Sequence, residues 1–209
     1  MDLTRIEKFK PSEVLVDTFE LYLLGLVNIM DITDITDNIE EAGKRSDILN
    51  LLIGCVSEMV ESHNGKLLQA RGDNLLTYFP KTSDFRNAEP LFEALECFFG
   101  IIFSHSTRNV RGLPELSYKV SAEYMNFPTY KSKQNSLCFD RVNPINSLEK
   151  MTKLAPSNRV IIGDDLCQIL SRFPRNCSHY YFEEVQDINR SKKEPYYKFY
   201  LLSKDRKST

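Results

Sequence analysis

The apolar positions of the chain fall into blocks with two different periods. Phe19 to Met30 is an apolar run broken by a single glycine, Gly25, and reads as a buried central strand. From Ile39 to Val60 the apolar residues become periodic. Ile48, Leu49, Leu52, Ile53, Val56, Met59 and Val60 follow the three-and-four spacing of an amphipathic helix. His63-Asn64-Gly65-Lys66 stops that helix, and Lys66–Ala70 and Leu75–Phe79 flank a Gly-Asp tip as the two arms of a hairpin. Pro90–Ser106 reads as a second helix and Glu115–Met125 as an alternating strand. Val142–Leu154 then predicts a helix, Arg159–Ile162 a strand, Asp164–Phe173 a helix, and Tyr180–Val185 and Tyr196–Leu202 two closing strands. The order β-α-β-β-α-β-α-β-α-β-β is that of an α+β domain with helices packed on one sheet.

Composition narrows the class. The chain has 209 residues, 42% hydrophobic and 27% charged, enough for a sizeable core and too apolar for a disordered segment. Its longest apolar runs, Leu21–Val27 and Phe98–Phe103, are far shorter than a bilayer-spanning helix requires. The net charge of −2 argues against a dedicated nucleic-acid binder, whose phosphate contacts call for a basic excess. The five cysteines are scattered without a Cys-x-x-Cys pair and read as reduced, mostly buried thiols. Met1–Lys10 is charged and mixed, unlike a secretory leader. A cytoplasmic globular domain, with neither nucleic acid nor membrane among its partners, is the expectation.

Three segments carry candidate chemistry. Asn28 and Asp31 stand at the end of the presumed central strand, where a carboxamide and a carboxylate could ligate a hard cation. The plainer reading makes Asp31, Asp34 and Asp37 solvated loop and cap carboxylates. Gly72-Asp73 at the hairpin tip could supply a second oxygen ligand beside the first, or could be an ordinary turn. Arg190-Ser191-Lys192-Lys193 could meet phosphates, or could be solvated surface. His63, His105 and His179 lack zinc-ligand spacing, and no glycine-rich phosphate loop occurs.

In this order the segments resemble the class III adenylyl/guanylyl cyclase catalytic domain. Asn28-Ile29-Met30-Asp31-Ile32-Thr33-Asp34-Ile35-Thr36 is similar to that family's opening Asp-Ile-x-Gly-Phe-Thr-x-Leu-Ser/Thr. Asn64-Gly65-Lys66, Gln69-Ala70-Arg71-Gly72-Asp73-Asn74 and Tyr78-Phe79-Pro80 resemble Gly-Gly-Lys, Lys-x-x-Gly-Asp-Gly and the strand ending in Phe-Pro. Val142-Asn143 resembles a Val-Asn pair that opens a later helix, and Arg190–Pro195 a closing Lys-Gly-Lys-x-Glu-Pro. The resemblance runs from Tyr22 to Leu202.

It implies a ferredoxin-like class III nucleotidyl cyclase fold, a twisted mixed sheet with helices packed on it. Residues 1–18 would be a helical lead-in, 19–203 the cyclase homology domain and 204–209 a tail. The activity it implies is conversion of a nucleoside triphosphate to a 3′,5′-cyclic nucleotide and pyrophosphate. Two Mg²⁺ or Mn²⁺ ions would sit on paired aspartates, in a site between two subunits of a homodimer or a heterodimer with another cyclase domain. Carried over by position, Asp73 takes the second metal aspartate, Asn143 the ribose asparagine and Lys192 the phosphate lysine. The first metal aspartate falls on Asn28, with Asp31 as the alternative one turn later. The base-reading lysine and aspartate fall on Gln69 and Ser136, and the transition-state arginine on Ser147. These replacements remove one metal charge and one preorganised cation, which implies weak or lost turnover. The alternative is a non-catalytic module that binds nucleotide or pairs with an active cyclase. The strip from Tyr124 to Leu137 falls where the family has its dimerisation arm, and is expected to expose apolar surface.

Overall fold

The structure is a computed structural model that describes residues 15–30, 32, 42–84, 86–104, 115–131, 137–139, 144–185 and 198–204. The central strand β1 spans Leu15–Ile29 and helix α1 Ala42–Ser62. Strands β2 (Lys66–Arg71) and β3 (Asn74–Phe79) form the hairpin, and α2 covers Glu89–Phe103. Then come β4 (Tyr118–Lys131), β5 (Leu137–Phe139), α3 (Pro144–Leu154) and β6 (Arg159–Gly163). Helix α4 (Asp164–Leu170), β7 (Tyr180–Val185) and β8 (Phe199–Lys204) close the chain.

The strands join in one mixed sheet of order β2-β3-β1-β4-β6-β8-β7, with β5 pairing β4 off this path. Its first four members, read as β4-β1-β3-β2, have the ferredoxin-like arrangement of a β-α-β-β-α-β unit. β1 pairs antiparallel with β3 on one side and β4 on the other, while β4 and β6 run parallel.

Alternation along β1 sorts its side chains onto two faces, because successive residues of a strand point to opposite sides. Leu23, Val27 and Ile29 join a large core with Leu52, Val56, Val60, Leu95 and Phe98 of α1 and α2. Tyr22, Leu24 and Leu26 face the other way, into a smaller core with Leu148 and Met151 of α3. Helices therefore cover both faces, and α3 lies over the second one. A buried polar knot docks it there. The Ser121 and Thr152 hydroxyls stand 2.7 Å apart, within 2.9 Å and 2.7 Å of the Leu148 carbonyl.

The expected α+β architecture and element order are present, with three differences. β1 begins at Leu15, so the last residues of the expected lead-in belong to the strand, and β8 reaches Lys204. β4 continues to Lys131 and folds back on β5, an element too short for periodicity to register. Tyr124 is only 3% exposed and packs in the large core, so it is not part of an exposed apolar arm. Its alternation with Val120 and Ala122 turns it inward. Four of the cysteines, Cys55, Cys97, Cys167 and Cys177, are free thiols, and Cys97 is fully buried. Among the described residues no helix is long and apolar enough to cross a membrane.

Candidate functional site

Asn28 is the last residue of β1 to face α3, since Ile29 after it points into the large core. In register, Asn28 lies opposite Asn74 of β3 and opposite Lys119 of β4. Directly opposed residues share a face, so all three side chains leave the sheet on the α3 side.

Asp73 reaches the same place through the hairpin turn. Gly72 and Asp73 are the two loop residues between the paired Arg71 and Asn74, and Gly72 has φ +60°. A Cβ at Gly72 would meet nothing within 4 Å, so the backbone conformation, not crowding, selects glycine. The Ile29 amide donates to the Asp73 carbonyl at 2.9 Å and pins the tip against the end of β1.

The side chains then close a small network. Asn28 Nδ2 donates to Asp73 Oδ2 at 3.0 Å and to Asn74 Oδ1 at 3.2 Å, and Asn74 Nδ2 donates to Asp73 Oδ1 at 2.7 Å. An ionised carboxylate only accepts, so the Asn28 edge turned to Asp73 has to be its NH₂.

Around this network the end of the sheet and α3 enclose a cleft of about 380 Å³, lined by Asn28, Asp73, Asn74, Lys119, Glu149, Thr152 and Lys153. Glu149, Thr152 and Lys153 come from α3 at the i, i+3, i+4 spacing that puts residues on one helix face. A second hollow of about 200 Å³ shares Asn74 and Glu149 with the first and is walled by Leu26, Leu76, Gln69 and Arg71. A third, of about 420 Å³, lined by Phe99, Phe103, Asn158, Arg159 and Lys204 among others, contains none of the candidate residues.

Asn28 and Asp73 are thus brought together, and Gln69 stands in the adjoining hollow. Ser147 is half-buried on α3 but lines neither hollow. At about 100° per residue it lies on the side of the helix away from Glu149, Thr152 and Lys153. Asp31, Ser136, Asn143 and Lys192 lie outside the described residues. Sequence reasoning missed Lys119, Glu149 and Lys153. Lys119 gives no local signal, because β4 also carries Ser121 and Glu123 on alternate positions, and only the pairing with β1 brings it opposite Asn28. The α3 pair could have been flagged by its spacing from Thr152.

The pair of divalent metals implied by the family resemblance does not fit the described residues of this cleft. Among the described residues one carboxylate, Asp73, stands at the strand ends, and both of its oxygens accept from amides. The position beside it presents an amide N–H, a donor, where a cation needs an acceptor. Lys119 in register with Asn28 adds a positive charge where metals would add theirs. Among the described residues no group of three or more His, Cys, Asp or Glu is placed to hold a metal ion.

No protein-family model and no curated protein matches the sequence. Solved structures do match. The guanylyl cyclase domain of the RhoGC fusion protein from the aquatic fungus Blastocladiella emersonii, in a monomeric crystal structure, superposes with a TM-score of 0.70 at 10% identity. That match covers 92% of this chain and 98% of the fungal one. The adenylyl cyclase CyaB from P. aeruginosa gives a TM-score of 0.66 at 11% identity, covering 92% and 98%. The guanylate cyclase domain of RhGC from Catenaria anguillulae, in complex with GTP, gives 0.63 at 12%, covering 88% and 97%. At such identities the likeness concerns architecture, a mixed sheet with helices packed on it. The chain is built on the catalytic-domain fold of the class III nucleotidyl cyclases.

Proposed function

We propose that the chain is a class III nucleotidyl cyclase-like protein of cyclic-nucleotide signalling. Its cleft binds a nucleoside triphosphate, and its conversion of that triphosphate to a cyclic nucleotide is weak or lost. The observation that carries this reading is the hydrogen bond from Asn28 Nδ2 to Asp73 Oδ2. It fills with an amide donor the space between two strand ends where the cyclase resemblance expects paired carboxylates, and so removes the charge that would hold catalytic cations. Nucleotide binding is supported by the shape that remains. A polar cleft of about 380 Å³ continues into a smaller hollow with an apolar floor, Leu26 and Leu76, and polar walls, Gln69 and Arg71. Such a pairing suits a phosphate chain and a base.

A second reading, a subunit that completes its site with another cyclase domain, is favoured by Ser147. Ser147 lies on the far side of α3 from the cleft, and the family resemblance would have its position act in a site shared with a partner. Lys192 and Asn143 would then act on the phosphates and ribose of the shared site.

The test is purified protein incubated with each of the four ribonucleoside triphosphates and Mn²⁺ or Mg²⁺, scored for cyclic product and, by calorimetry, for binding. Triphosphate binding with at most trace product is expected. Rapid cyclisation, or no binding of any triphosphate, overturns the reading.

A further inference from the structure

Among the described residues no group of three or more His, Cys, Asp or Glu is gathered to hold a metal ion, yet two lysines line the cleft from opposite walls. Lys119 enters from β4, half-buried and in register with Asn28, and Lys153, itself exposed, enters from the last turn of α3. Neither is paired with a carboxylate among the described residues. The two carboxylates in the same cleft stand elsewhere. Asp73 is held by the amides of Asn28 and Asn74, and Glu149 sits where the cleft meets the second hollow.

A divalent ion on a triphosphate supplies two positive charges to the phosphate oxygens. Two ammonium groups supply the same charge and up to six N–H donors, as point charges that tolerate many oxygen arrangements. We propose that Lys119 and Lys153 grip a polyphosphate chain directly, so that the cleft binds its anionic ligand without a divalent metal. This inference rests on the nucleotide-binding reading above and deepens it. The shared chemistry is a linear triphosphate, whose source is a nucleotide or the inorganic anion. Asn28 has a part in it as well. A carboxylate at its position would face Lys119 across the strand pair and compete with phosphate for that ammonium, and the amide does not.

The test is calorimetric titration of the whole chain with ATP, GTP and inorganic tripolyphosphate, each in EDTA and in excess Mg²⁺. Affinity in EDTA is expected to equal or exceed that in Mg²⁺. Lys119→Gln and, separately, Lys153→Gln should each weaken EDTA binding by about tenfold or more, the loss expected for one charged hydrogen bond. Lys153 is exposed, so its variant keeps the test sound if Lys119→Gln disturbs folding, which circular dichroism would report. Binding that appears only with Mg²⁺, or that neither substitution weakens, overturns the inference and leaves the nucleotide reading standing. Tripolyphosphate binding in EDTA as tightly as the nucleotides supports the lysine grip and overturns the nucleoside part of that reading. If no triphosphate binds under either condition, the nucleotide reading falls and the lysine grip with it.

Discussion

Asn28 and Asp73, far apart in sequence, meet at 3.0 Å with the amide as donor and the carboxylate as acceptor. The contact makes a neutral-to-anion hydrogen bond at a place where two like charges would need a cation between them. It stabilises the strand end in the absence of metal, and it ties the hairpin tip to β1.

Replacing Asn28 with aspartate reverses that relationship. Two carboxylates at this distance repel, and the side-chain amide oxygen of Asn74, Oδ1, loses its donor as well. In EDTA the variant should be less stable by about 1–3 kcal/mol, a fall in melting temperature of roughly 2–10 °C. Millimolar Mg²⁺ should restore much of the loss in the variant and do little for the native chain. Thermal melts with and without Mg²⁺ check this, and equal melting temperatures in EDTA would refute it.

Asp73→Asn separates the two ways of holding phosphate. The family resemblance taken alone makes Asp73 a metal ligand, so its loss would weaken binding of Mg²⁺-triphosphate. In the lysine-lined cleft its charge opposes the ligand, and its removal should strengthen ATP binding in EDTA by about three- to tenfold. The sign of the change in a calorimetric titration decides between them.

Gly25 interrupts the apolar run of β1 for a steric reason. A Cβ there would overlap the Phe98 ring of α2 and come within 2.9 Å of Thr77 Oγ1, whose hydroxyl donates to the Gly25 carbonyl. Gly25→Ala should cost about 2–3 kcal/mol by overpacking. Combining it with Phe98→Leu should cost less than the sum of the single changes by about 1 kcal/mol or more, since both act on one contact. Urea unfolding of the four chains measures the coupling, and strict additivity would show that the strand shifts instead.

Much of this was legible locally. The Gly-Asp tip between two short apolar strands reads as a hairpin because the turn itself demands glycine, and Gly72 has the left-handed backbone that requires it. The helical phase of α1 is visible because Leu52, Ile53, Val56 and Val60 all reach one core. Asn28 and Asp73 could be matched because one stands near the end of a recognisable strand and the other at the tip of a recognisable hairpin. What was not legible depends on register between distant strands. Lys119 joins the site only because β1 pairs with β4 so that it lies opposite Asn28, and no local pattern encodes that pairing. Glu123 is a similar case. A charged residue in a strand reads as solvent-facing, yet it is 2% exposed and accepts from the Tyr124 amide at 2.6 Å and the Leu166 amide at 3.0 Å, capping the first turn of α4. Fold-level packing had to be in place before that role existed.

The buried acids of the large core predict how stability varies at high pH. Burial pushes the Cys97 thiol up to about 12 and, with help from nearby Asp164, the Cys167 thiol up to about 11. Burial likewise pushes the Tyr124 hydroxyl up to about 12, and it raises Tyr180 further still, where the hydroxyl donates to Glu96. The ordinary thiol value is 9.0 and the ordinary phenol value 10.0. Each group therefore keeps its proton in the folded chain at a pH where the unfolded chain has lost it. The folded state then binds more protons, and stability falls as pH rises. The contribution is complete below about pH 9 and is lost progressively between 9 and 12. Cys97 is fully buried and alone should add about 1.4 kcal/mol of loss per pH unit over that window. Cys97→Ala should be less stable at pH 8 because of the cavity it leaves, yet its stability should decline more gently from pH 9 to 11. Denaturant titrations at pH 8, 9, 10 and 11 compare the slopes. A native chain equally stable at pH 8 and 11 would mean that these groups are not protonated and buried as the packing requires.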